Sequence, residues 1–284
     1  MPSVRWSWPG EDARIAFLMR PIARFLTALA LLATCMASPA MADFKKGTAA
    51  YEAGDYATAL KEWRPLAEQG NTDAQYGLGL LYDSGKGVPR DNAEAARWYR
   101  KAADLGLASA QSNLGVLYAG GEGVKQDLAE AARWYRRAAE QEYAMAQFNL
   151  GVLYAKGQGV KQNYAEAVHW YRKAAEQGEI DAQLNLGLLY AKGQGVPQSY
   201  AKAVRYYRMA AEQGDADAQS SLGLLYANGQ GTPPDLVQAH LWLSLAAAQG
   251  NKRAAKERDL LVKKMAPAQL TQAQKLVREW KPKK

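Results

Sequence analysis

Two apolar registers alternate along this chain, and the pair returns every 36 residues. In residues 73–106, Ala74, Leu78, Leu81 and Tyr82 fall at i, i+4, i+7 and i+8, one face of a helix. Ser84-Gly85-Lys86-Gly87 then supplies the permissive backbone that ends a helix, and Pro89 favours an extended residue before it. Asp91, with Glu94 three residues on, is a capping-box pair that opens a second helix. Ala95, Trp98, Tyr99, Ala102 and Ala103 form its apolar stripe, and Gly106 closes it. The unit predicts a helical hairpin.

The same phrase recurs in register. Gly79, Gly115, Gly151, Gly187 and Gly223 each open a Gly-aliphatic-Leu-Tyr run, and Trp98, Trp134, Trp170, Tyr206 and Trp242 keep the same step. Asp127 with Glu130, Asn163 with Glu166 and Asp235 with Gln238 repeat the cap, whereas Ser199 is followed by Lys202 and loses its reciprocal half. A fixed period of this size predicts an all-α solenoid whose units bury their apolar faces against neighbours. Small residues such as Gly115 and Ala138 let helices approach, and Trp134 and Tyr135 fill the space between repeats. A long binding surface without a catalytic cleft predicts that the chain holds a protein or peptide partner.

Five repeats cover 73–250, preceded by a partial repeat at 43–72 in which Trp63 takes the register of Tyr99. Pro65 sits inside the second helix of that unit and predicts a kink or early end. Glu142 replaces a closing glycine, which predicts an altered joint there. After Gly250 the phrase dissolves into two charged helices, 252–264 and 267–280, divided by Ala266-Pro267. Residues 251–284 then read as a basic cap that gives the last repeat a polar outer face.

Residues 1–42 read as a signal peptide removed on export. Arg20 and Arg24 precede an apolar run from Phe25 to about Ala33, and Ala40-Met41-Ala42 offers a small-residue cleavage site. The run is well short of the ~20 residues a spanning helix needs. Glu11 and Asp12 are foreign to such a leader, which makes Met19 an alternative start. The only cysteine, Cys35, lies in this segment, and Leu32-Ala33-Thr34-Cys35 distantly resembles a lipoprotein box, an alternative route to an anchor. The expected location is periplasmic or secreted, with a mature chain that no disulfide staples.

The formal net charge is +8, and residues 252–284 carry all of it, while 43–251 come to −2. A nucleic-acid binder needs a basic stripe along its folded surface, so nucleic acid is not an expected partner. The basic C-terminal helices leave a second function class open, attachment to anionic lipid or envelope polymer without spanning the membrane.

Catalytic chemistry finds little footing. The Gly-x-Gly loops at 85–87, 121–123, 157–159, 193–195 and 229–231 follow no strand, so they read as interhelix turns rather than phosphate cradles. His169 and His240 lack the spacing and companions of a metal site, and no Gly-x-Ser-x-Gly elbow occurs. No enzyme activity, cofactor or metal is expected.

The first helices carry the stronger functional signal. They remain apolar opposite their stripe, at Leu80, Val116, Val152, Leu188 and Leu224, which requires cover from neighbouring repeats or from a partner. Four residues earlier the residue type changes between repeats, as Tyr76, Ser112, Phe148, Leu184 and Ser220. Beside it runs an amide ladder of Asn113, Asn149 and Asn185, able to donate to and accept from a peptide backbone. Tyr76, Asn113, Phe148, Asn149, Leu184 and Asn185 are therefore the candidate partner-binding residues. The competing role for the amides is a bond to the next repeat.

Leu150-Gly151-Val152-Leu153-Tyr154, Gly157-Gln158-Gly159-Val160 and Trp170-Tyr171-Arg172-Lys173-Ala174-Ala175 together resemble the Sel-one-like repeat (SLR) family, relatives of the tetratricopeptide repeats. The resemblance covers about 73–250. It implies a right-handed α/α superhelical solenoid and an adaptor role in assembling protein complexes, with exported bacterial members acting in signalling, envelope functions or host contact. A cysteine-rich branch of that family staples its repeats, and this chain lacks those cysteines.

Overall fold

The computed structural model describes residues 39–283, with side chains from Asp43 onward. Among the described residues there are fourteen helices and no strands. They run α1 Pro39–Glu52, α2 Tyr56–Glu68, α3 Thr72–Ser84, α4 Asn92–Asp104, α5 Ala108–Gly120, α6 Leu128–Glu140, α7 Ala144–Lys156, α8 Tyr164–Glu176, α9 Ile180–Lys192, α10 Tyr200–Glu212, α11 Ala216–Asn228, α12 Leu236–Ala248, α13 Lys252–Val262 and α14 Pro267–Glu279. The chain divides within α7 into two compact units, one ending at Ala146 and the other starting at Gln147. The predicted cleavage point after Ala42 falls inside α1, and the remainder of the predicted leader, Cys35 included, lies outside the described residues.

Hairpin geometry follows from a few backbone decisions. Gly85 leaves α3 at φ 68°, a left-handed conformation that glycine adopts without Cβ strain. The Asp91 carboxylate then accepts from the N–H groups of Ala93 and Glu94, at 3.0 Å each. The reciprocal half of the predicted capping box does not form. The Asp91 N–H donates instead to the Tyr82 carbonyl at 2.9 Å, and Glu94 turns to Arg97. Asp127, Asn163, Ser199 and Asp235 close their loops the same way, onto Tyr118, Tyr154, Tyr190 and Tyr226. The bond ties the end of each first helix to the start of the second.

Helix pairs close on a ring-to-glycine contact. A Cβ on Gly79 would come within 2.4 Å of the Tyr99 ring, on Gly115 within 2.7 Å of Tyr135, and on Gly187 within 2.5 Å of Tyr207. Only a missing side chain lets the aromatic ring of the second helix lie on the first helix's backbone. Trp63 does the same against Gly47 and Gly77, so α1 and α2 form a complete hairpin with a shorter connection, residues 53–55. Pro65 does not end α2, which continues to Glu68 with the proline on its exposed side.

Glu142 corrects another expectation. It adopts the left-handed φ of 62° that glycines take at the matching positions. Glu142 N–H reaches Ala139 O at 3.1 Å and Tyr143 N–H reaches Ala138 O at 3.2 Å. Gly106 and Leu107 make the same two bonds to Ala103 and Ala102. The joint is unchanged because its two hydrogen bonds and the following helix outweigh a left-handed cost of about 1–2 kcal/mol.

The last hairpin is covered from outside. α13 and α14 both pack on α12, which is apolar on nearly every side and buries Leu241, Trp242, Leu243 and Leu245. Beyond α14 the chain turns back, and Lys283 bonds Glu212 through its ammonium and its backbone N–H, at 2.7 Å each. Trp280 meets Trp242 edge to face.

Candidate partner-binding site

The first helices contain a polar joint that the sequence reading passed over. Each begins with Ala-Gln, at Gln75, Gln111, Gln147, Gln183 and Gln219. Gln111 donates to the Ala103 carbonyl at the end of the preceding repeat and accepts from Gln141 at the end of its own. Gln183 does this between Ala175 and Gln213, and Gln219 between Ala211 and Gln249. One buried amide thus satisfies two helix ends at once, which an apolar residue would leave unpaired. The recurring dipeptide was its signal in the sequence. A second fastener runs from second helix to next first helix, with Arg64, Arg172 and Arg208 donating to the hydroxyls of Tyr82, Tyr190 and Tyr226.

In the unit ending at Ala146, Tyr76 and Asn113 come together. Tyr76 is 2% exposed and packs with Tyr99 at 5.7 Å between ring centroids. Ser109 and Asn113 flank its hydroxyl without hydrogen-bond geometry, and Tyr143 and Tyr51 are also near. The hydroxyls of Tyr51, Tyr76 and Tyr143 are buried and have no hydrogen-bond partner among the described residues. Burial pushes the Tyr51 phenol up to about 12, with Tyr56 adding to it. It pushes the Tyr76 phenol well above its ordinary value, Tyr143 again adding to the rise. These groups therefore stay protonated and need acceptors. Asn113 is only half-buried and lies beside both Tyr76 and Tyr99, so it links the cluster to solvent. Ser109, Tyr51 and Tyr143 were not singled out from sequence, because their convergence depends on three successive hairpins stacking.

In the unit starting at Gln147 the candidates sit differently. Phe148 is fully buried against Tyr171, 5.8 Å between centroids. Asn149, Leu184 and Asn185 are buried as well. Burial raises the Tyr171 phenol, and Asn185 beside it pulls slightly the other way. This places Asn185 at the joint between repeats. Opposite the stripe of the first helices, Leu80, Val152 and Leu188 are buried, whereas Val116 and Leu224 are half-buried. Among the six candidates, Asn113 alone keeps substantial contact with solvent.

A family profile described as Sel1 repeat matches residues 72–107, 108–143, 144–179, 180–215 and 216–251. No curated protein matches the chain. Among solved structures, c5321, "a protective antigen present in uropathogenic Escherichia coli strains displaying an SLR fold", is 35% identical with a TM-score of 0.77. That likeness covers 92% of this chain and 56% of that one, so this chain spans little more than half of c5321's length. A Sel1 repeat protein from Oxalobacter formigenes is 42% identical with a TM-score of 0.71, over 75% of this chain and 88% of that one. Five consecutive matched repeats and these two structures show that the chain belongs to the Sel1 repeat family, whose members generally serve as non-catalytic protein-interaction scaffolds.

Proposed function

We propose that the chain is an exported scaffold that binds a protein or peptide in the bacterial envelope, with the tyrosine cluster around Tyr76 as a contact site. The observation that carries this is the gathering of three buried hydroxyls, Tyr51, Tyr76 and Tyr143, that lack partners among the described residues. Each costs about 1–3 kcal/mol when left unpaired. A bound peptide backbone reaching in beside Asn113 supplies the acceptors they need. Export rests on the sequence of residues 20–42, with mature protein starting at Asp43. The alternative, attachment to an anionic surface through the basic tail, is weakened by Lys283, which is already engaged by Glu212.

Affinity capture from the native envelope tests this reading, with intact-mass measurement of the bait confirming a start at Asp43. The isosteric pair Tyr76→Phe and Tyr143→Phe, combined with Asn113→Ala, is expected to lose the captured partner while the chain stays folded and melts no lower than the parent. Lys281→Ala with Lys283→Ala is expected to retain it. Full capture by the cluster variant and loss by the tail variant would reject the cluster and favour surface attachment.

A further inference from the structure

α12 departs from the repeat phrase on the side that α13 and α14 cover. Where other second helices carry Ala96, Ala132, Val168 or Val204, it carries His240, and where they carry Arg100, Arg172 or Arg208, it carries Ser244. The loss of that arginine is explained, since no further Tyr follows for it to bond. A cap needs only apolar contact at these places, yet two polar side chains are buried there. His240 Nδ1 lies 3.3 Å from Ser244 Oγ. Burial lowers the imidazole's pKa and Arg258 lowers it further, so His240 stands as a neutral hydrogen-bonding group.

These residues floor a cleft of about 540 Å³. His240, Ser244 and Ala248 come from α12 at four-residue spacing, Arg258 and Val262 from α13, and Leu270, Gln274, Val277 and Arg278 from α14. The size lies within the ~300–1,000 Å³ of small-molecule sites. Its walls are apolar, while two guanidiniums line the cleft. Arg258 is bonded to Asp259 at 2.7 and 2.9 Å, and Arg278 has no ion-pair partner among the described residues. The cleft therefore carries an uncompensated positive charge beside a greasy interior.

We infer that this cleft binds a monomeric alkyl carboxylate, with Arg278 taking the carboxylate and Val262, Leu270, Val277 and Ala248 enclosing the chain. Arg258 adds positive field, and His240 and Ser244 form a polar floor. The site is independent of the tyrosine cluster, since all its residues lie in the unit starting at Gln147. Calorimetric titration of the full chain with octanoate should show one site per chain. Arg278→Met should weaken it at least ten-fold, and so should Val277→Asp, while circular dichroism melts stay unchanged for the exposed Arg278 variant. 1-Octanol and acetate should each bind far more weakly. Equal binding of acetate would reduce the site to a general anion patch, and equal binding of 1-octanol to an apolar crevice; either overturns the inference. So does absence of octanoate binding, or association with phosphatidylglycerol vesicles in its place.

Discussion

Tyr76 and Phe148 hold the same place in repeats of different units, and the units treat that place in opposite ways. In the unit ending at Ala146 it carries a hydroxyl that finds no partner and gathers two more like it. In the unit starting at Gln147 a phenylalanine fills the space and is fully buried. The glutamine joints differ too. Three complete pairs occur in the later unit, 147 with 177, 183 with 213 and 219 with 249. In the earlier unit Leu105 stands where Gln75 needs its partner, leaving the Gln75 carbonyl oxygen unpaired and Leu105 59% exposed. Buried polar atoms without a partner among the described residues occur in both units, at Gln75, Trp134 and the three tyrosines in the earlier and at Gln158, Trp170, Tyr171, Asn185 and Trp242 in the later, so the gathering of three hydroxyls is what sets the earlier unit apart.

Exchanging the two rings is the largest test of this contrast. Phe148→Tyr buries a hydroxyl in the apolar site and should cost about 1–3 kcal/mol in urea unfolding. Tyr76→Phe removes an unpaired hydroxyl and should raise stability by up to ~1 kcal/mol. A Tyr76→Phe loss as large as that of Phe148→Tyr would mean that the Tyr76 hydroxyl is already satisfied.

The largest carboxyl shift lies in the later unit. Burial raises the Glu179 carboxyl from 4.5 to about 7, with Asp181 adding to the shift. Between these values the folded chain holds a proton that the unfolded chain has released. Stability from this group is therefore present at low pH and falls as pH rises from about 4.5 to 7, by on the order of 1 kcal/mol. Glu179 also caps α9 without a side-chain bond, whereas Asn71 caps α3 by accepting from Ala74 at 2.8 Å. Glu179→Asn should flatten the dependence of Tm on pH between 5 and 8 and raise Tm at the upper end. A slope that survives the substitution assigns the effect elsewhere.

The smallest change repairs the earlier unit. Leu105→Gln should place an amide against the unpaired Gln75 oxygen, as Gln141 does for Gln111 at 2.8 Å. A gain of about 1 kcal/mol is expected in chemical denaturation. No gain would show that the ladder satisfies geometry without adding stability.

The helices and their order were legible because apolar spacing and glycine loops act locally. The ring-to-glycine contacts were legible as paired small and large residues, though not which ring met which glycine. Capping was half legible: Asp91 was found, but its N–H partner, the Tyr82 carbonyl, is fixed only once the hairpin closes. Glu142 misled because a missing glycine says what the backbone must do, not whether neighbouring bonds can force another residue to do it. At the candidate site, variation at one register pointed to partner contact. Phe148 and Leu184 show that variation also arises at buried positions.

The glutamine that reaches backward with its nitrogen and forward with its oxygen has a consequence for how such chains change length. Gln111, Gln183 and Gln219 each bond the end of the preceding copy and the end of their own, so recombination that slips by one whole 36-residue period among these copies leaves no mismatched seam. Slippage by any other amount breaks the register of both hands. Copy number is therefore free to drift in whole steps, and only the final copy, with Ser244 and Leu243 in place of the usual arginine and tyrosine, marks where the array must stop.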